Sequence, residues 1–406
     1  MEIRRCLPLL VLAALPGPVA LGQPVKTGID VLVENGFREL QGRRVGLITN
    51  HSGFDRSGRR TIDLLADAPG VELVAIFTPE HGLLGQADEP VASGRDARAG
   101  RPVLSLYGET RRMTPAMLEG IDTLVYDIAD VGARFYTYIA TLGYAIEEAA
   151  RRDVEVVVLD RPNPIGGERV EGPVSDASLT GDFIAYFPVP TRYGMTIGEL
   201  ATLFTAERKL GARLRVVRME GWRRGAWFDA TGLRWVNPSP ALRNLSATAL
   251  YPATNMLYIT DGQPPISMGR GTDAPYETFG APWVSDERAL AAHLNARRIP
   301  GVSFVPVRFT PRESVFAGED CGGVFVLLLD RGKLNTGRLG IELLSAFWRL
   351  HPQRFGIDSV YRRVGSRAVL DAVKAGRDPI EIEASWQKEL DAFRRLRAKY
   401  LLYPPG

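Results

Sequence analysis

Val71-Glu72-Leu73-Val74-Ala75-Ile76-Phe77, followed at once by Thr78-Pro79-Glu80-His81-Gly82, decides the fold. The first run is short, apolar and bounded by turn residues, so it predicts a buried strand. The acid and the histidine then fall at the strand's carboxyl end, where open α/β sheets place their chemistry.

The same pattern extends outward on both sides. Val45–Thr49, Val103–Leu106, Leu124–Tyr126 and Val154–Leu159 read as further strands. Thr61–Ala68, Pro115–Glu119 and Arg134–Arg151 read as helices between them, the second opening with a proline, as a first turn tolerates. Alternating strands and helices predict an α/β fold: a parallel sheet with helices on both faces. Past Asp160 the pattern breaks. Arg161–Gly167 is a loop of prolines and glycines, and Thr196 to Glu199 is a capping box opening a helix. Leu214–Met219 is another strand. Trp222–Trp283 has little periodicity and reads as long functional loops. Val324–Leu329 and Leu339–Leu350 restore regular structure. The expected organisation is a signal peptide over 1–22, a first domain over 23–180 and a second over 181–406.

The length of 406 residues suits two domains. With 24% charged residues, a formal net charge of +3 and no long basic run, nothing points to nucleic acid. Arg4 and Arg5 precede the apolar stretch Cys6–Leu15, and Ala20-Leu21-Gly22 offers a cleavage site, so export is expected, to the periplasm or beyond, with no stable membrane insertion afterwards. The mature chain then keeps Cys321 alone, which excludes an internal disulfide and a cysteine-based metal site.

Every strand in the first half ends in a polar or titratable group: Asn50-His51, Glu80-His81, Tyr107-Gly108, Asp127 with Asp130 and Arg134 behind it, and Asp160-Arg161. A parallel sheet brings these ends to one edge, the expected cleft. Most of these residues admit more than one reading. Glu80 is a general acid, a role that burial of a carboxyl suits, or a solvated loop carboxylate paired with His81. His81 binds a sugar, orients Glu80 or caps a helix. Asp127 and Asp130 supply a second carboxylate, or Asp130 caps a helix beginning near Gly132. Arg134 binds an anionic group or pairs with Asp130. Tyr136 and Tyr138 line the site or the core. Glu199 reads as a cap. In the second half, Trp235-Val236-Asn237-Pro238-Ser239-Pro240 suits a sugar's apolar face and hydroxyl edge. Arg270, between two glycines, suits a carboxylate such as a lactyl group. Dinucleotide, P-loop, zincin and nucleophile-elbow motifs are all absent.

Gly46-Leu47-Ile48-Thr49-Asn50-His51-Ser52-Gly53, Thr78-Pro79-Glu80-His81-Gly82 and Asp127-Ile128-Ala129-Asp130-Val131-Gly132-Ala133-Arg134-Phe135-Tyr136-Thr137-Tyr138 resemble the exo-β-N-acetylmuramidase family of the NamZ type. So do Asp160-Arg161-Pro162-Asn163-Pro164, Val170-Glu171-Gly172-Pro173 and Gly194-Met195-Thr196-Ile197-Gly198-Glu199-Leu200. The chain departs from the family pattern at Leu83-Leu84, at Ala241-Leu242-Arg243, over 258–261 and at Met268. The resemblance implies a Rossmann-like N-terminal domain, a smaller α+β C-terminal domain and a cleft between them. It implies release of terminal β-1,4-linked N-acetylmuramic acid from peptidoglycan fragments, without a cofactor or metal, with Glu80 as the acid. Asp127 or Asp130 would assist the water or orient the substrate's 2-acetamido group. Asn50, His51, His81, Arg134, Tyr138, Asn163 and Glu171 would bind the sugar, and Arg270 its lactyl carboxylate. Two other readings remain: a non-catalytic wall-sugar binding protein, and a metal-dependent hydrolase using His51, His81 and the aspartates.

Overall fold

The computed structural model describes residues 24–86, 92–258 and 266–406. The expected signal peptide and all but Tyr258 of the altered 258–261 stretch lie outside them. The described strands are β1 (Arg43–Thr49), β2 (Val71–Thr78), β3 (Gly94–Arg95), β4 (Pro102–Ser105), β5 (Thr123–Asp127), β6 (Glu155–Leu159), β7 (Glu171–Val174), β8 (Pro190–Arg192), β9 (Leu214–Val217), β10 (Thr278–Ala281), β11 (Val302–Phe309) and β12 (Cys321–Leu328).

Seven of them form one sheet in the order β3-β4-β2-β1-β5-β6-β9. Its pairings are parallel except β3 with β4. The chain runs outward from β1 through β2 to β4, then returns to β5 on the other side of β1. That reversal is a topological switch point.

Side chains alternate across the sheet with the two-residue period of a strand. Leu47, Val125 and Val157 face one apolar layer with Ile29, Leu32, Ile62 and Leu65, from the helices Gly28–Glu34 and Thr61–Ala66. Ile48, Tyr126 and Val158 face the opposite layer with Ile139, Leu142, Leu200 and Phe204, from the helices Tyr138–Ala150 and Ile197–Glu207. Helices thus cover both faces, and this double burial explains why Val156–Leu159 of β6 are apolar without a break. Each fully buried Val or Leu there contributes roughly 1.5–3 kcal/mol.

The second layer continues without a break into the C-terminal half through Tyr251, Leu339 and Phe347. There β10, β12 and β11 make an antiparallel sheet, with the helix Glu287–Ala296 against it and the helix Thr336–Leu350 packed on that helix. The parallel sheet also takes β9 from beyond residue 180.

Two local expectations change. The helix expected from Arg134 begins at Tyr138. Ala133 bridges to Arg192 and the Arg134 amide donates to the Thr191 carbonyl, so the backbone before it is held as a turn against β8. The irregular stretch 222–283 contains a helix, Leu245–Thr254, capped by the Asn244 side chain. Its residues from Ala247 onward are buried, which erases an amphipathic period, and Pro252 inside it reads as a breaker.

Candidate active site

The turn beyond β2 carries Glu80 and His81. The Gly82 amide donates to the Pro79 carbonyl at 3.1 Å, and His81 adopts a left-handed φ of 73°. A residue with a Cβ takes that conformation at a cost of about 1–2 kcal/mol, which the surrounding contacts must offset. The turn points both side chains into a cavity of about 320 Å³. Four guanidinium groups line it, from Arg111, Arg270, Arg362 and Arg363, and Glu80 is its one carboxylate among the described residues.

Thr137 Oγ1 donates to Glu80 Oε2 at 2.5 Å and holds that carboxylate. Burial and the Glu80 charge push Tyr107 up to about 12, so its phenol stays protonated beside the same carboxylate. The main chain of Glu80 is fixed from below. The Tyr138 hydroxyl lies 3.2 Å from the Glu80 carbonyl and 3.4 Å from that of Pro238, and accepts from Asn50 Nδ2 at 3.1 Å. Tyr136 donates to the Pro238 carbonyl at 2.8 Å. At the inner end, Arg270 lies over the Tyr276 ring, 5.9 Å from its centroid.

The remaining expected site residues are placed around this cavity rather than in it. His51 Nε2 meets the Asn237 carbonyl at 2.7 Å, and burial lowers its basicity. A Cβ at Gly85 would fall 1.9 Å from its ring, so this glycine lets the turn close over the imidazole. Asp127 is fully buried. Arg161 holds it through Nε at 2.5 Å and Nη2 at 2.9 Å, and Thr61 adds a hydroxyl. Asp130 accepts from the Tyr193 hydroxyl and from the Gly132 amide at 3.1 Å, while burial pushes its carboxyl up. It borders a separate, narrow hollow walled by Phe54 and Trp235.

Arg134 reaches neither an open cavity nor Asp130. Its guanidinium donates to the carbonyls of Arg363 (2.6 Å) and Val364 (3.1 Å), and burial lowers it to about 10. It thereby pins the chain segment that carries Arg362 and Arg363 into the wall. Asn163 donates to the Met195 carbonyl at 2.9 Å and braces its own loop. Glu171 accepts from the amide and hydroxyl of Thr336, both at 2.8 Å, and caps the helix Thr336–Leu350. Glu199 closes the expected capping box with Thr196. The altered residue Met268 is buried in the core, and its carbonyl accepts from the amide of the lining residue Tyr276 at 2.8 Å.

His51, His81, Asp127 and Asp130 therefore do not gather. No group of three or more His, Cys, Asp or Glu side chains placed to hold a metal ion occurs among the described residues.

Several lining residues escaped the reading from sequence. Thr137 stands inside a motif that drew attention to its tyrosine neighbours instead. Arg111, Phe183, Asn255, Arg362 and Arg363 lie in segments with no motif, and only folding brings them to Glu80.

Residues 45–246 match the family described as Exo-beta-N-acetylmuramidase NamZ, N-terminal, and residues 249–403 match its C-terminal counterpart. The chain is 40% identical over 384 residues to the peptidoglycan beta-N-acetylmuramidase NamZ of Bacillus subtilis (strain 168), covering 93% of this chain and 91% of that protein. Two crystal structures of DUF1343 family proteins from Bacteroides fragilis NCTC 9343 share the fold. One has a TM-score of 0.85 at 39% identity, covering 94% of this chain and 99% of its own. The other has a TM-score of 0.75 at 27% identity, covering 95% and 100%. The chain belongs to the NamZ exo-β-N-acetylmuramidase family.

Proposed function

We propose that this protein is an exo-acting glycoside hydrolase that releases terminal β-1,4-linked N-acetylmuramic acid from peptidoglycan fragments, with Glu80 as the general acid. The observation that carries this reading is the Glu80 carboxylate, held by the Thr137 hydroxyl and the one carboxylate among the described residues of a cavity lined by four arginines. Muramic acid differs from the other wall sugar by its lactyl carboxylate, and guanidinium groups recognise carboxylates through paired, charge-assisted hydrogen bonds. The cavity volume is at the small end of ligand pockets, roughly 300–1,000 Å³, as a site for one terminal sugar requires.

In this reading Glu80 gives its proton to the leaving oxygen as the glycosidic bond breaks. Two-carboxylate glycosidases set the second acid about 5–9.5 Å from the first. Asp127 is engaged by Arg161, and no second carboxylate lines the cavity among the described residues. This favours attack at the anomeric carbon by the carbonyl oxygen of the substrate's own 2-acetamido group. Glu80, now ionised, would then take a proton from the water that opens the resulting ring. The residues before Gln23 support export to the periplasm or the exterior, which N-terminal sequencing of the mature protein tests.

The decisive experiment is hydrolysis of a chromogenic β-N-acetylmuramide and its β-N-acetylglucosaminide counterpart, with and without EDTA. Release from the muramide alone, unaffected by EDTA and lost by at least about 100-fold in Glu80→Gln, is expected. A binding protein would release nothing, and a metal-dependent hydrolase would stop on chelation.

A further inference from the structure

The cavity has a closed end and an open one. At the closed end Tyr251, Asn255 and Tyr276 are buried beside Arg270. At the mouth Arg111 and Arg362 are exposed. A row of side chains leads from the proposed acid to that mouth. Tyr107 lines the cavity with Glu80, its ring stacks on Phe183 at 6.3 Å and 20°, and the Arg111 guanidinium lies 4.2 Å from the Phe183 ring centroid. Stacking keeps a guanidinium in one plane with its N–H groups directed outward, the arrangement that grips a carboxylate. The nearby Asp182 carboxylate is taken by Arg362 at 2.8 Å, so among the described residues Arg111 is held by aromatic rings rather than by an acid.

We infer that Arg111, seated on Phe183, forms a subsite on the leaving-group side that binds a carboxylate carried by the departing chain. This rests on the hydrolase reading above. If Glu80 protonates the leaving oxygen and the terminal sugar fills the closed end, the rest of the chain must exit along Tyr107 and Phe183. In alternating wall glycan the first departing sugar is N-acetylglucosamine and carries no charge. The next is a muramic acid, whose lactyl group, or the peptide attached to it, supplies the anion. Arg270 would then read the sugar that is released, and Arg111 the length and charge of what it is released from.

The test compares kcat/KM for the disaccharide MurNAc–GlcNAc with that for the trisaccharide MurNAc–GlcNAc–MurNAc. Wild-type protein should favour the trisaccharide by about 10-fold or more, the scale of one charge-assisted contact, and high salt should shrink the preference. In Arg111→Ala the ratio should fall to within about 2-fold of unity, with Arg111→Lys between the two. A trisaccharide whose distal lactyl group is methyl-esterified should lose the preference, and one bearing a peptide there shows whether the peptide's carboxylates substitute. A wild-type ratio near unity, or a preference that survives in Arg111→Ala, overturns the subsite while leaving the hydrolase reading intact. Failure to cleave either substrate overturns both.

Discussion

Thr137 Oγ1 donates to Glu80 Oε2 at 2.5 Å, joining the turn after β2 to the residue preceding the helix Tyr138–Ala150. The hydroxyl fixes the direction of the carboxylate. Thr137→Val keeps the shape and removes the donor. It should lower kcat by about 10-fold, since a lost hydrogen bond is worth about 0.5–1.5 kcal/mol. Steady-state kinetics would check this, and an unchanged kcat would separate Thr137 from the chemistry.

Arg270 should set the choice between wall sugars. Arg270→Ala is expected to raise KM for the muramide by about 10-fold or more while changing KM for a glucosaminide far less. Equal effects on both would mean that the side chain supports the wall instead of reading the lactyl group.

Asp127 should behave as part of the fold. Its carboxylate is buried between Arg161 and Thr61, so Asp127→Asn leaves a buried guanidinium without its counter-charge. A cost of about 3–5 kcal/mol is expected, visible as a lower urea midpoint. Unchanged stability with abolished turnover would return Asp127 to the reaction.

Asp160 should make stability fall with rising pH. Burial pushes its carboxyl up to about 6, against the hydrogen bonds from Tyr403, Gly198 and Thr196. The folded state therefore holds this proton more tightly than the unfolded chain does. Its contribution is intact below about pH 4 and lost as pH rises through about 6. The stability of wild type minus that of Asp160→Asn should drop by about 2 kcal/mol between pH 4 and pH 7, whatever constant offset the amide adds. Denaturant unfolding at several pH values measures the difference, and a flat difference would refute it.

Much of the first half was legible because its signals are local. Val71–Phe77 and Val154–Leu159 are apolar runs of strand length, and β2 and β6 follow them to within one residue. The Thr196–Glu199 capping box needs only residues three apart. The parallel sheet followed from the alternation of such elements, and the edge bearing Glu80 and His81 followed from the sheet. The helix Leu245–Thr254 was not legible, because a helix buried on nearly all sides has no polar face to set a period.

The sequence by itself determined the fold class, the family, and Glu80 with His81 as the pair at a strand end. Which polar strand ends enter the cavity was decided only in three dimensions. Asp127 and Asp130 end β5 as Glu80 ends β2, yet Arg161 and Tyr193 consume them. Arg134 faces backbone carbonyls, while Arg111, Arg362 and Arg363 reach the cavity from segments with no motif. A residue type and its local spacing specify what chemistry a side chain can perform. Its partners, which decide whether it does, are set by packing between segments more than 200 residues apart, as between Arg134 and Arg363.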